Sequence, residues 1–267
     1  MLKSLTNGLI TSFLLFPNRA FLCQPEAFGL RAENAYFQTE DNFTLHGWFF
    51  EAPGSKATLL LFHGNTGNIS GRLPKAKLWR DKGVSVLLMD YRGYGKSAGK
   101  IVTENDLYRD AEAAVKWLKE NKRTDEADIL LYGESLGSAP AVELAARRKF
   151  KGLILEAPFT GLLDLARLHY PWIPVGFIQD FLLDNASKIS RVRSPFFLIH
   201  GTADETCPYA MGQRLFEKAL ELKEKLTIPG GAHNDLLEKG GRDYIEKPFD
   251  FFSAQENNQG STSGIVF

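Results

Sequence analysis

The sequence predicts an α/β fold: a mostly parallel sheet covered by helices on both faces. Three observations carry this expectation. Short apolar, β-branched runs that end in a turn alternate from residue 33 onward with longer stretches of helical period. The central runs are apolar throughout, as strands buried on both faces must be. The length of 267 residues suits one sheet with its covering helices, and hydrophobic residues at 44% with charged residues at 24% fit a globular domain.

Eight strands are expected. AYFQTE (35–40) and FTLHGWFF (43–50) form a hairpin about Asp41-Asn42. ATLLLFHG (57–64) and VSVLLMDYRGYG (84–95) run into glycine turns and read as central strands, followed by DILLYGES (128–135), GLILEAPF (152–159), FFLIHGTAD (196–204) and KLTIPGGAH (225–233). Between 103 and 120, Leu107, Ala111, Ala114, Val115 and Leu118 recur at helical spacing behind Thr103, an expected N-cap. Residues 160–188 are rich in aromatics and proline where a plain crossover helix would suffice, which predicts a small helical lid. The expected organisation is therefore an N-terminal extension (1–32), an α/β domain (33–252) and a disordered polar tail (253–267).

Lys+Arg and Asp+Glu both number 32, so no global charge draws the chain to nucleic acid, and none is expected as a partner. Cys23 and Cys207 make neither a CxxC pair nor zinc-ligand spacing, so they read as free thiols in a reducing, cytoplasmic setting with no metal. The apolar run at 9–16 behind Lys3 is too short to span a bilayer and lacks a good cleavage site. A cytoplasmic protein is the first reading, peripheral membrane contact through this run the second, and export with the run as a signal-peptide core the third.

The chemistry centres on GESLG (133–137), a G-x-S-x-G between an expected strand and the helical stretch SAPAVELAARR. A tight strand-to-helix turn would hold Ser135 in a strained conformation, with Gly133 and Gly137 where a side chain would collide with backbone. A serine hydroxyl needs a base. His46 lies within a strand, His63 and His200 end strands, and His169 falls in the lid, which leaves His233 in the loop after the last strand. Asp204, just past the strand FFLIH, is the better-placed acid partner, and Glu156 is its rival. The glycine loop HGNTGN (63–68) can turn backbone N–H groups toward the serine, which makes Asn65 and Leu136 the expected oxyanion-hole donors. The loop lacks the lysine of a phosphate-binding loop and does not match GxGxxG, so neither a nucleotide nor another cofactor is expected.

In this order HGNTGN, DYRGYGKS, GESLG, HGTADETCP and GGAHND resemble the α/β-hydrolase superfamily, and more narrowly the bacterial esterase-like proteins described as serine aminopeptidases and the eukaryotic α/β-hydrolase-domain depalmitoylases. The resemblance covers about residues 30–250 and implies the α/β-hydrolase fold, with Ser135, Asp204 and His233 as the triad. It also implies a structural role for Asp90, with Tyr91 or Tyr94 near the pocket rim. The Cys207-Pro208 pair departs from the aliphatic residue that relatives often carry there. Together with Tyr94, large apolar groups in the lid, among them Phe159, Tyr170, Trp172, Ile173 and Phe177, are expected to line an acyl pocket or to bury the lid's own inner face. The expected activity is hydrolysis of small-molecule carboxylic esters or thioesters through an acyl-enzyme. The alternatives are an amidase or aminopeptidase of the same fold, and a non-catalytic binding protein that keeps the fold alone.

Overall fold

The computed structural model describes residues 14–172, 181–220 and 222–262. Eight strands form one sheet: β1 (Glu33–Gln38), β2 (Thr44–Phe50), β3 (Thr58–Phe62), β4 (Ser85–Asp90), β5 (Ile129–Glu134), β6 (Gly152–Glu156), β7 (Phe196–Gly201) and β8 (Lys223–Ile228). Their spatial order is β1-β2-β4-β3-β5-β6-β7-β8. β2 runs antiparallel to both β1 and β4, and every other neighbouring pair is parallel. Each expected strand is present.

Side chains of these strands alternate between two cores. Leu60, Phe62, Leu87, Met89, Leu131 and Leu155 face one side, where α2 (Glu104–Lys122), α3 (Ser138–Arg147) and α5 (Tyr209–Lys218) cover them. Leu59, Leu61, Val86, Leu88, Leu130 and Ile154 face the other, under α1 (Leu73–Asp81), α6 (Leu236–Gly240) and α7 (Asp243–Thr262). Burial on both faces is why these strands read as unbroken apolar runs. At the start of α2 the Asp106 carboxylate accepts from the N–H groups of Thr103 and Val102, both at 2.8 Å, so the expected cap is in place.

The expected lid holds α4 (Leu162–His169). Its return segment is pinned by Glu104, whose carboxylate accepts from Leu182 N–H (2.9 Å) and Leu183 N–H (2.7 Å). Residues 173–180, with Ile173 and Phe177, lie outside the described residues, as do residues 1–13 of the N-terminal run. The boundary set at 253 for the polar tail falls inside α7, which continues to Thr262. Ala254, Gln255 and Glu256 favour helix and extend one already anchored by buried Tyr244, Ile245 and Phe252. Among the described residues no helix is long and apolar enough to cross a membrane.

From Leu15 the chain enters the domain as an extended strap. Phe16–Pro17 pair in parallel with Thr66–Gly67.

Candidate active site

Ser135 stands between β5 and the turn that opens α3, with φ +51°, the left-handed region that a non-glycine residue rarely adopts. Its neighbours explain how the turn closes. A Cβ at Gly133 would lie 2.6 Å from the Gly137 carbonyl oxygen, and one at Gly137 would lie 2.0 Å from that of Phe62. Both positions require glycine.

His233 arrives from the loop after β8. Gly201 and Gly231 pack so closely that a Cβ at Gly201 would lie 2.1 Å from the Gly231 oxygen, and Ala203 N–H donates to the same oxygen at 2.9 Å. The loops after β7 and β8 are thereby locked together, which sets the distance between Asp204 and His233. The Ser135 hydroxyl is 3.0 Å from His233 Nε2, and His233 Nδ1 is 2.8 Å from Asp204 Oδ2. The three residues form a catalytic-triad arrangement in which the imidazole bridges serine and carboxylate.

Asp204 is itself held on every side. Its Oδ1 accepts from Thr206 N–H (2.9 Å) and Cys207 N–H (2.8 Å), and His200 Nε2 lies 3.3 Å from Oδ2. Burial alone would raise its pKa, but the hydrogen bonds from His200 and His233 outweigh it and hold the carboxyl well below the usual range. Asp204 therefore stays ionised and fixes the Nδ1–H tautomer of His233. Cys207 is buried beside Ser135, and burial with the Asp204 charge pushes its thiol well up, so the sulfur remains protonated and non-nucleophilic. That is the consequence of the cysteine before Pro208.

Glu156, the rival acid, faces away from this relay. It is buried and takes hydrogen bonds from Lys75 Nζ (2.7 Å), Tyr132 hydroxyl (2.5 Å) and Tyr244 hydroxyl (2.8 Å). Lys75 also binds Glu134, the residue before the serine, at 2.6 Å, and Arg72 binds the other oxygen of Glu134 at 2.5 Å. Burial opposes ionisation of Glu134, but Arg72 and Lys75 prevail and hold its carboxyl far below the usual range. Arg72 also donates to the Thr66 carbonyl at 3.2 Å, which ties the HGNTGN loop to the nucleophile turn.

That loop reaches the serine: a Cβ at Gly64 would lie 3.6 Å from Ser135 Cβ. The Gly64 carbonyl is held inward at 2.7 Å from His63 Nδ1. Because a trans peptide points its N–H opposite to its C=O, this turns the Asn65 N–H outward. Leu136 lies in the first turn leading into α3, where backbone N–H groups have no intrahelical acceptor. Asp90 accepts from Ile69 N–H at 2.9 Å and so supports the loop, the structural role its motif implies.

Of the residues expected near the substrate, Tyr94 is buried beneath the loop and donates to the Asn65 carbonyl at 2.7 Å. Phe159 is buried at the base of the lid, and Trp172 is 76% exposed at the edge of the described segment. The same lid meets the acid loop where His169 Nε2 lies 2.9 Å from the Thr206 carbonyl. Sequence reasoning did not anticipate the roles of His200, Arg72 and Lys75, or the strap contacts to Asn65. Nothing in their local sequence marks them: the contacts of Arg72, Lys75 and the strap join segments far apart in the chain, and that of His200 needs the loop after β7 to fold back.

Comparison with known proteins agrees with this geometry. The family described as serine aminopeptidase, S33, matches residues 53–177. An uncharacterized protein of Mycobacterium tuberculosis is 40% identical over 203 residues, 74% of this chain and 71% of its own length. Human alpha/beta hydrolase domain-containing protein 17B is 34% identical over 206 residues, 76% of this chain and 69% of its own. Among solved structures, an esterase of Pyrococcus furiosus superposes with a TM-score of 0.76 at 24% identity, covering 90% of this chain and 98% of that one. The motifs in order, the strand order and the relay at Ser135 converge with these likenesses: the chain belongs to the α/β-hydrolase superfamily and is a serine hydrolase related to bacterial esterases and the domain-containing protein 17B group.

Proposed function

We propose that the protein hydrolyses carboxylic esters or thioesters of small molecules through an acyl-enzyme on Ser135. The continuous Ser135–His233–Asp204 relay carries this reading. His233 Nε2 takes the hydroxyl proton as Ser135 Oγ bonds to the acyl carbon, and Asp204 stabilises the imidazolium that results. The carbonyl oxygen, now an oxyanion, accepts from the N–H groups of Asn65 and Leu136. Imidazolium then protonates the leaving alcohol or thiol as its bond to carbon breaks. Water, deprotonated by His233, attacks the acyl-enzyme and releases the acid and the free serine.

The aminopeptidase description of the matched family makes peptide amides the second reading. A peptide amine needs a free carboxylate near the site. Of the candidates Glu156, Asp164 and Asp180, the last lies outside the described residues; Glu156 is engaged by Lys75 and two tyrosines, and Asp164 accepts from Thr160 and lies 3.8 Å from Arg167, which favours esters. We further propose a cytoplasmic protein with peripheral membrane contact through its N-terminal run. Fractionation of the full chain and of a chain lacking residues 1–13 tests this, and equal distribution of the two would refute it.

Serine modification decides the main reading. A fluorophosphonate is expected to label Ser135 and abolish p-nitrophenyl acetate hydrolysis, and Ser135→Ala is expected to be unlabelled and inactive. Full activity in Ser135→Ala overturns the proposal. Aminoacyl arylamides assayed beside acyl esters separate the two substrate classes.

A further inference from the structure

We propose that the N-terminal strap, Leu14 to Asn18, is a positioning element of the active site that holds Asn65 by its carbonyl and side chain and so places its N–H for work on the oxyanion. The inference rests on the reading of Asn65 as an oxyanion donor given above. Within HGNTGN, His63 holds the Gly64 carbonyl, but Gly64 has no side chain to anchor the loop and Gly67 takes φ +83° with the freedom that glycine allows. The rest of its restraint comes from outside. Phe16 N–H donates to the Asn65 carbonyl at 2.9 Å, and Asn65 Nδ2 donates to the Leu14 carbonyl at 2.8 Å.

With the Tyr94 hydroxyl on the same Asn65 carbonyl at 2.7 Å and Thr66 Oγ1 on Asn65 Oδ1 at 3.2 Å, the polar groups of Asn65 other than its N–H are engaged. The N–H is left for the substrate. Beyond Asn65, Asn18 N–H donates to the Gly67 carbonyl at 2.9 Å, and the Asn18 carbonyl accepts from Gly95 N–H (3.0 Å) and Asn68 Nδ2 (2.9 Å). Leu15 is buried in the core that α2 and α3 cover. The strap is thus anchored between and beyond its two grips on Asn65.

A segment that merely covered apolar surface would contribute to stability alike in every state of the enzyme. One that aims a donor at the oxyanion acts on the transition state, because the ground-state carbonyl carries little charge. Its loss should therefore lower kcat and leave KM, a contrast that a structural role does not produce.

The test replaces Phe16 by proline, which deletes the N–H, and compares it with Phe16→Ala, which keeps the N–H. The Phe16 side chain is 52% exposed, so neither change empties the core. Relative to Phe16→Ala, Phe16→Pro is expected to lose about 10- to 100-fold in kcat, as misplacement of a catalytic group by an ångström does, with KM held within about twofold. Affinity for a boronic acid, which mimics the tetrahedral oxyanion, is expected to fall with kcat. Equal kcat and equal boronate affinity in the two variants overturn the proposal.

If Phe16→Pro does not fold, Asn65→Ala decides, since it removes the bond to Leu14 and keeps the backbone donor. A loss confined to kcat supports the strap, and a wild-type kcat overturns it. Ser135→Ala separates the two levels of argument: activity surviving there removes the serine mechanism itself, whereas an inactive Ser135→Ala beside an unimpaired Phe16→Pro removes only the strap.

Discussion

Ser135 illustrates how local strain and long-range contacts share one site. Its positive φ is sustained because Gly133 and Gly137 let the turn close to within van der Waals contact of β3 and the opening of α3. Gly137→Ala drives a methyl into the Phe62 carbonyl and is expected to destabilise the fold by about 3 kcal/mol, the upper end for overpacking, measured by chemical denaturation, since backbone cannot yield as a side chain can. Asp204→Asn tests the other end of the relay. Its amide cannot fix the same imidazole tautomer, so kcat should fall on the order of 10³- to 10⁴-fold. Glu156→Gln, by contrast, should leave a relay that still turns over, and a loss in Glu156→Gln equal to that in Asp204→Asn would reverse the assignment. Ser135, Asp204 and His233 were legible in the sequence because each sits at a strand end beside glycine or a turn residue. His200 was not, since its contact with Asp204 Oδ2, at 3.3 Å, exists only once the loop after β7 has folded back on its own strand.

At the scale of elements, the buried charges behind the serine join α1, β5, β6 and α7 where the strands deliver the catalytic loops. Lys75 on α1 bridges Glu134 and Glu156, and Tyr244 of α7 closes the cluster through its bonds to Glu156 and Tyr132. Burial opposes charge on Lys75, but the two carboxylates prevail and keep it protonated well above the usual range. Removing one partner from such a cluster leaves the others desolvated without compensation, so Lys75→Met is expected to cost about 3–5 kcal/mol in denaturant unfolding. A cost below about 1 kcal/mol, the usual value of an exposed pair, would show that the cluster is solvated. The strands were readable because burial on two faces leaves an unbroken apolar run. This cluster was not, because Arg72 and Lys75 look like the polar side of an ordinary amphipathic helix. The strap escaped notice for a related reason: several of its bonds use backbone atoms, which any sequence supplies.

Across the whole molecule, the antiparallel β1–β2 edge lies far from the reacting groups, yet it holds a group that makes the fold sensitive to acid. His46 on β2 is fully buried, with Nε2 2.9 Å from Asn34 Oδ1 and its ring against Phe21, Tyr36 and Trp48. Desolvation lowers its pKa to about 4, with the Asp90 charge opposing and Lys96 assisting. The unfolded chain takes up this proton near pH 6.5 and the folded protein only near pH 4, so between these values the unfolded state binds more protons. The His46 contribution therefore falls as pH drops through this window, by about 2 kcal/mol at pH 5 relative to pH 7.5, while Asp110, whose carboxyl burial raises to about 6, takes up its proton earlier in the folded protein and offsets part of that loss. Asp41, which the Arg92 hydrogen bond outweighs burial to hold near pKa 2, loses its contribution at lower pH, as do Glu134 and Asp204. The His46 contribution is read by difference: between pH 7.5 and 5 the wild type should lose about 2 kcal/mol of stability relative to His46→Gln, which is neutral throughout and keeps the opposing Asp110 term. An undiminished slope in His46→Gln would place the titrating group elsewhere.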